Sequence, residues 1–260
     1  MREFLDLERF PIDQTEAAAP LAMACREALN REGMFNLEGL VRPGALETVL
    51  EEIEPAFASG AFVHARRHNI YFRDDLTDLP QDHPALTEFE TVNHTVCADQ
   101  IPGSLLNRIY HWAPLKGFLA TVMGVPALYD MDDPMACMNV MRYHQGEALN
   151  WHFDRSEFTT TLLLQAPLDG GEFQYMGDLR SDTDPNYEAV GRFVKGDHSA
   201  AKTLHLEPGT LNVFRGRNTA HRVTPVEGNR SRVIAVFSYY ERPGVVFSES
   251  ERLGFYGRAR

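Results

Sequence analysis

The sequence predicts a mainly β protein, a jelly roll or sandwich, behind a helical N-terminal layer. Three observations carry that prediction. Alanine- and leucine-rich stretches of helical periodicity are confined to about the first 130 residues. After Asp130, short β-branched and aromatic runs recur, divided by the turn signals Asp169-Gly170-Gly171, Pro208-Gly209 and Glu227-Gly228-Asn229. That half also lacks the regular strand–helix alternation that builds a parallel sheet.

Taken in order, the run TEAAAPLAMACREALN predicts a first helix over 14–30, with Asp13 or Thr15 as its cap. Gly33 and Gly39 bracket a short strand. Residues 43–57 predict a second helix: Pro43 suits a first turn, and Leu46, Val49, Leu50 and Ile53 fall on one stripe. The polar stretch 61–99 is expected to be loop and short helix, and 104–123 to be helix interrupted at Pro114. Strands are expected at 138–143, 158–165, 171–175, 210–214 and 232–239. Residues 176–203 form a long polar insertion in the β half, the kind that serves as a lid or mobile loop. No internal repeat and no Gly-, Pro- or Ser-rich linker divides the chain.

Composition narrows the functional classes. With 25 Lys+Arg against 37 Asp+Glu, the formal charge of −12 argues against a sequence-independent nucleic-acid binder, which needs a basic face. Apolar residues at 43% support a core without staples. Cys25, Cys97 and Cys137 are odd in number and far apart, so neither a disulfide framework nor a cysteine metal site is expected. A reducing, cytoplasmic location is the corresponding expectation. The first ten residues mix charges throughout rather than forming a signal-peptide core, and no apolar run approaches membrane-spanning length. The expected partner is a small molecule, with no nucleic acid and no membrane; a homodimer is compatible with the sequence but not specified by it.

The residues that carry chemistry are His152, Asp154 and His221. His152 and Asp154 are two apart, and strand residues i and i+2 share a face, so imidazole and carboxylate can converge. Two histidines and one carboxylate on one side of a metal leave the opposite positions open, an arrangement suited to non-haem Fe(II) oxygen chemistry. The pair alone is weak, since about 0.6 His-x-Asp pairs are expected by chance at this composition. His205 and Glu207 share the spacing of such a pair, but they fit the outward positions of a short strand ending at Pro208. What distinguishes His152 and Asp154 is the order of the segments after them: a strand at 158–165, Gly170-Gly171-Glu172-Phe173, a strand at 210–214, His221, then Arg230-Ser231-Arg232 opening an apolar run. A hairpin turn at 227–229 is expected to lay the strand from Arg230 beside that of His221, where a guanidinium can grip a carboxylate.

Over about residues 135–242 this ordered set resembles the Fe(II)/2-oxoglutarate-dependent dioxygenases, and in particular the free-amino-acid hydroxylases and their halogenase relatives. The resemblance implies a double-stranded β-helix (a jelly-roll, cupin-like core) with Fe(2+) held by His152, Asp154 and His221. It also implies 2-oxoglutarate and O2 as cosubstrates, giving succinate and a hydroxylated substrate. The family's arginine, some ten residues after the distal histidine, falls on Arg230 or Arg232, nine and eleven residues after His221. Arg232 lies deeper in the apolar run. Tyr143, nine residues before His152, resembles a tyrosine that contacts 2-oxoglutarate. In the halogenating relatives a glycine or alanine stands where this chain has Asp154. The chain then reads as one catalytic domain over 1–260: a mostly helical part at 1–130, the β-helix core at 131–242 with its insertion, and a C-terminal tail at 243–260.

Other residues have competing readings. Asp132, within Asp130-Met131-Asp132-Asp133, is either part of a capped loop or a negative wall for a substrate amine. The cluster His64-Ala65-Arg66-Arg67-His68 with Arg73 is either a solvated face or a clamp for a substrate carboxylate. Ser238 and Tyr240 share the inward parity of Arg230 and Arg232. The expected function is hydroxylation of a C–H bond in a small polar substrate, such as a free amino acid or derivative. The alternatives are desaturation or ring closure by the same chemistry, and a catalytically silent β-barrel binding protein.

Overall fold

Two antiparallel sheets face each other, and the side chains of their strands sort into an apolar outer face and a partly polar interior. A computed structural model describes residues 1–260. Its strands of three or more residues are β1 (Met34–Leu37), β2 (Phe62–His68), β3 (Phe89–Cys97), β4 (Met138–Tyr143), β5 (Leu149–His152), β6 (Thr159–Gln165), β7 (Phe173–Met176), β8 (Lys202–Leu204), β9 (Leu211–Phe214), β10 (Ala220–Val223) and β11 (Arg232–Phe237). The large sheet has the order β1-β9-β6-β11-β4-β3-β2, and the small one β8-β7-β10-β5. This is the mainly β, jelly-roll architecture expected.

The outer face of the large sheet is apolar because alternate residues of each strand are Leu, Val, Ala or Phe. Leu162 and Leu164 of β6, Val213 of β9, and Val233, Ala235 and Phe237 of β11 all join one large buried cluster. Helices α1 (Thr15–Glu32), α2 (Pro43–Gly60), α3 (Leu105–Tyr110) and α4 (Ala113–Met123) cover it. They contribute Leu29, Val49, Ile53, Ile109 and Leu119 to the same cluster. Each such side chain stabilises the layer by roughly 1.5–3 kcal/mol relative to exposure. Leu46, Val49 and Ile53 are buried on the expected stripe of α2. The N-cap of α1 is Gln14, without a side-chain cap bond, rather than Asp13 or Thr15. The expected break near Pro114 occurs at 111–112, with Pro114 in the first turn of α4, where a missing N–H costs nothing.

The clearest departure is the stretch 61–99, expected as loop and short helix. It contains β2 and β3, paired from Phe62↔Thr95 to His68↔Phe89, and β3 extends the large sheet onto β4 through Val96↔Val140. The 1–130 part is therefore helical on the outside but also supplies three strands of the large sheet. The strands were hidden because their inward residues are polar: His64, Arg66, Thr91, Asn93 and Thr95 share one face by register. Alternation without an apolar face does not read as a half-buried strand.

Two further segments differ from expectation. The strand of His221 and that of Arg232 do not form a hairpin; β10 lies in the small sheet and β11 in the large one, so the turn at 227–229 crosses between sheets. The insertion holds a helix, α5 (Tyr187–Val194), and the C-terminal stretch 243–260 is more than a tail, since it holds α6 (Glu249–Tyr256). Helix α5 buries Val190 and Phe193 against Trp151. Helix α6 is tied down by Arg252, which pairs with the buried Asp133 at 2.8 Å. No helix is long and apolar enough to cross a membrane.

Candidate metal and cosubstrate site

The small sheet sets the two histidines side by side. His152 ends β5, His221 lies in the neighbouring strand β10, and the two are direct antiparallel partners. Their ring centroids are 4.0 Å apart. Each ring is oriented from behind: Nδ1–H of His152 donates to the carbonyl of Asn150 at 2.8 Å, and Nδ1–H of His221 to that of Thr219 at 2.9 Å. A proton on Nδ1 leaves the Nε2 lone pair free toward the shared space, the arrangement a metal-bound histidine requires.

Asp154 reaches that space differently from the expected strand pleat. It lies two residues past the end of β5, in a turn where its N–H donates to the carbonyl of Gly216 at 3.0 Å, after Phe153 N–H has donated to Ile70. Its Oδ1 is 3.4 Å from His152 Nε2 and its Oδ2 is 3.4 Å from His221 Nε2. All three ligand atoms lie within 4.8 Å of one another. Two imidazoles and one carboxylate converging from one side fit an iron ion with open positions opposite.

Electrostatics favour a charged Asp154 carboxylate and a neutral His221 ring. Burial raises the Asp154 carboxyl, but the facing His221 and His152 imidazoles and the Thr159 hydroxyl outweigh it and hold it well below the usual carboxylate range. Burial, aided by His152, pushes His221 down to about 4. The rings are also dry: Phe72 stands edge-on to His152 at 5.4 Å, and Phe214 to His221 at 4.8 Å. Phe72 is one of three non-glycine residues with positive φ (52°), so backbone strain is held beside the ligands.

On the inner face of the large sheet, Arg232 and Tyr143 are direct cross-strand partners. Arg232 is 2% exposed; its Nε donates to the Gly171 carbonyl at 2.9 Å, while its Nη1 is buried without a partner. Gly171 is required there: it has φ +59°, and a Cβ would meet Arg232 Cδ at 3.2 Å and Pro167 Cγ at 2.8 Å. Burial pushes the Arg232 guanidinium down to about 10 and the Tyr143 phenol up to about 12. Arg230, by contrast, is exposed and donates to the Pro167 carbonyl.

The remaining candidates are placed as follows. Arg73 adjoins Phe72, but its guanidinium is exposed and engages both carboxylate oxygens of Asp75. Asp132 is exposed and accepts the Gly244 N–H, so it caps a loop. Ser238 lies between β11 and a two-residue strand, Tyr239–Tyr240, and its carbonyl accepts from Tyr110. Of the 64–68 cluster, His68 is buried beside the site, stacked on Phe72 at 3.9 Å. His205 is exposed and faces Glu172, as its outward reading required. Sequence reasoning missed Thr159, whose hydroxyl donates to Asp154 Oδ2 at 2.5 Å, and Gly216 beneath it. It also missed Arg180, in the insertion, which donates to the carbonyls of Arg217 and Asp154 and packs on Phe153. Parity within β6 was the one available signal for Thr159; Gly216 and Arg180 left none.

Comparison with known proteins agrees with this geometry. The sequence matches the family model described as Halogenase D over residues 18–245. No curated protein matches the chain by sequence. Among solved structures it is similar to the epimerase SnoN from nogalamycin biosynthesis in complex with Fe3+, alpha ketoglutarate and nogalamycin RO, with TM-score 0.60 and 16% identity over 85% of this chain and 83% of that one. It is similar to a 2OG-Fe(II) oxygenase family oxidoreductase from Burkholderia pseudomallei, with TM-score 0.54 and 14% identity over 86% of this chain and 92% of that one. A prolyl-4-hydroxylase from Pseudomonas putida gives TM-score 0.53 and 14% identity over 86% of this chain and 100% of that one. At these identities the structural likenesses show the fold. The family match spans most of the chain, and the converging ligands fit iron: this protein belongs to the Halogenase D family and is a 2-oxoglutarate-dependent non-haem iron oxygenase.

Proposed function

We propose that the enzyme hydroxylates a C–H bond of a small polar substrate, a free amino acid or a derivative of one, and that it does not halogenate. The observation that carries this reading is the seated carboxylate of Asp154, facing both imidazoles and held by Thr159. An anion would have to occupy the place that Asp154 fills, and the carboxylate already supplies the negative charge a halide would bring.

His152, Asp154 and His221 hold the iron, which when bound with 2-oxoglutarate supplies the dioxygen chemistry. Arg232 grips the far carboxylate of 2-oxoglutarate: Gly171 fixes one edge of the fork and the partnerless Nη1 presents the other. Tyr143 supports it with a hydroxyl whose present contact, Met141 Sδ at 3.5 Å, is weak enough to exchange. The polar inward face of β2 and β3, with His64, Arg66, Asn93 and Thr95, supports a polar substrate. Phe72, Phe173 and Phe214 exclude water around the ligand rings. A succinate-release assay with Fe(II), ascorbate and 2-oxoglutarate across amino acids and small amines tests the reading, with product mass as the decisive readout. A desaturated or cyclised product, or none with any small amine or amino acid, would overturn it.

A further inference from the structure

We propose that Thr159 is a positioning residue for the iron ligand Asp154, acting through a three-part clamp with Gly216. The Thr159 hydroxyl donates to Asp154 Oδ2 at 2.5 Å, and the Asp154 N–H donates to the Gly216 carbonyl at 3.0 Å. A side chain at 216 has no room. A Cβ built there would overlap Asp154 Oδ2 and Thr159 Oγ1, and would lie 2.9 Å from Asp154 Cβ. Gly216 has no positive φ, so the requirement for glycine is one of space alone.

The clamp matters because of where Asp154 sits in the chain. His152 and His221 are held by strand pairing and by backbone carbonyls behind their rings. Asp154 lies past the end of its strand and has no ladder to fix its side chain. Without Thr159, rotation about its side-chain bonds would let the carboxylate swing away from the two imidazoles. With Thr159 holding Oδ2, the carboxylate keeps the orientation that faces both imidazoles, Oδ1 3.4 Å from His152 Nε2 and Oδ2 3.4 Å from His221 Nε2. Thr159 comes from β6 of the large sheet, whereas both histidines come from the small one. The hydroxyl therefore also ties the metal ligand to the opposite wall of the barrel.

This inference rests on Asp154 being an iron ligand, so the test separates the two. The anaerobic Fe(II) dissociation constant of the full-length protein is measured by competition with a chromogenic chelator for wild type, His152→Ala, Thr159→Val, Thr159→Ser and Gly216→Ala. Losing a hydrogen-bond partner behind a metal ligand weakens binding roughly 10- to 100-fold. Thr159→Val and Gly216→Ala are expected in that range, and Thr159→Ser, which keeps the hydroxyl, within about threefold of wild type. Rescue by serine distinguishes the hydrogen bond from packing. Thr159→Ala, which only removes atoms, replaces the valine variant should that one not fold. If His152→Ala leaves iron affinity unchanged, the site itself is misassigned. If His152→Ala weakens it but Thr159→Val and Thr159→Ala bind iron like wild type, or serine fails to rescue, the clamp is refuted and the site stands.

Discussion

Replacing Arg232 with methionine should raise the 2-oxoglutarate KM strongly, while the same change at Arg230 should not. The magnitude comes from burial. Arg232 is 2% exposed and its Nη1 has no partner, so a carboxylate meeting it does so away from solvent. Breaking such a charge-assisted pair costs roughly 2–4 kcal/mol, which corresponds to about 30- to 900-fold in KM. Arg230 is exposed and donates only to a backbone carbonyl, so its loss should cost less than about 1 kcal/mol, or roughly fivefold. Folding can be separated from binding in the same experiment. Methionine relieves a desolvated, partly unpaired charge, so Arg232→Met should melt no lower than wild type without 2-oxoglutarate. It should lose the stabilisation that 2-oxoglutarate gives wild type. The assay is succinate formation against 2-oxoglutarate concentration, with thermal melts alongside. A normal KM for Arg232→Met, or a larger effect at Arg230, would refute the placement of the clamp.

The same geometry sets other outcomes. His152→Ala, Asp154→Ala and His221→Ala should each lose iron binding and turnover, because two remaining ligands hold Fe(II) poorly; near-native turnover by any one would remove that residue from the set. In ~100 mM chloride, near physiological ionic strength, the product should contain oxygen and no halogen, and a chlorine isotope pattern in its mass spectrum would contradict the role given to Asp154. Stability should fall as pH drops from about 6.5 toward 4. His68 is neutral in the fold, donating through Nδ1 to the Asn69 carbonyl and accepting from Thr91 at Nε2, and burial pushes it down to about 4. The unfolded chain therefore binds a proton that the native state refuses across that window, and stability rises with pH through it. Denaturation midpoints should fall less steeply in His68→Gln, and an unchanged slope would show that His68 does not carry the effect.

Some of this protein was legible in one dimension because it is written in local rules. Helix α2 was readable from Pro43 and the stripe Leu46, Val49 and Ile53, since a helix buries residues three and four apart. Strands β4, β6 and β11 were readable from their β-branched and aromatic runs, and the His152, Asp154 and His221 set from order and spacing. The sequence by itself thus determined the layer of helices, the β half and the metal chemistry.

Tertiary structure decided what depends on which face meets which. Strands β2 and β3 were invisible because most of their inward residues, His64, Arg66, Thr91, Asn93 and Thr95, are polar although they face the interior. The choice of Arg232 over Arg230 was undecidable from parity, because residues two apart share a face. The end of the strand separates them: Arg232 begins the ladder opposite Tyr143 and is buried, whereas Arg230 lies before it and is exposed, which supports the proposed role of Arg232. The strands of His221 and Arg232 looked like a hairpin in sequence yet lie in opposite sheets, since the turn between them crosses the barrel. Thr159 and Gly216 acquire their proposed roles only when β6 and the turn at 216–218 close on Asp154. A hydrogen bond between opposite walls and the room left by a missing Cβ are properties of three-dimensional distance, and local sequence encodes neither.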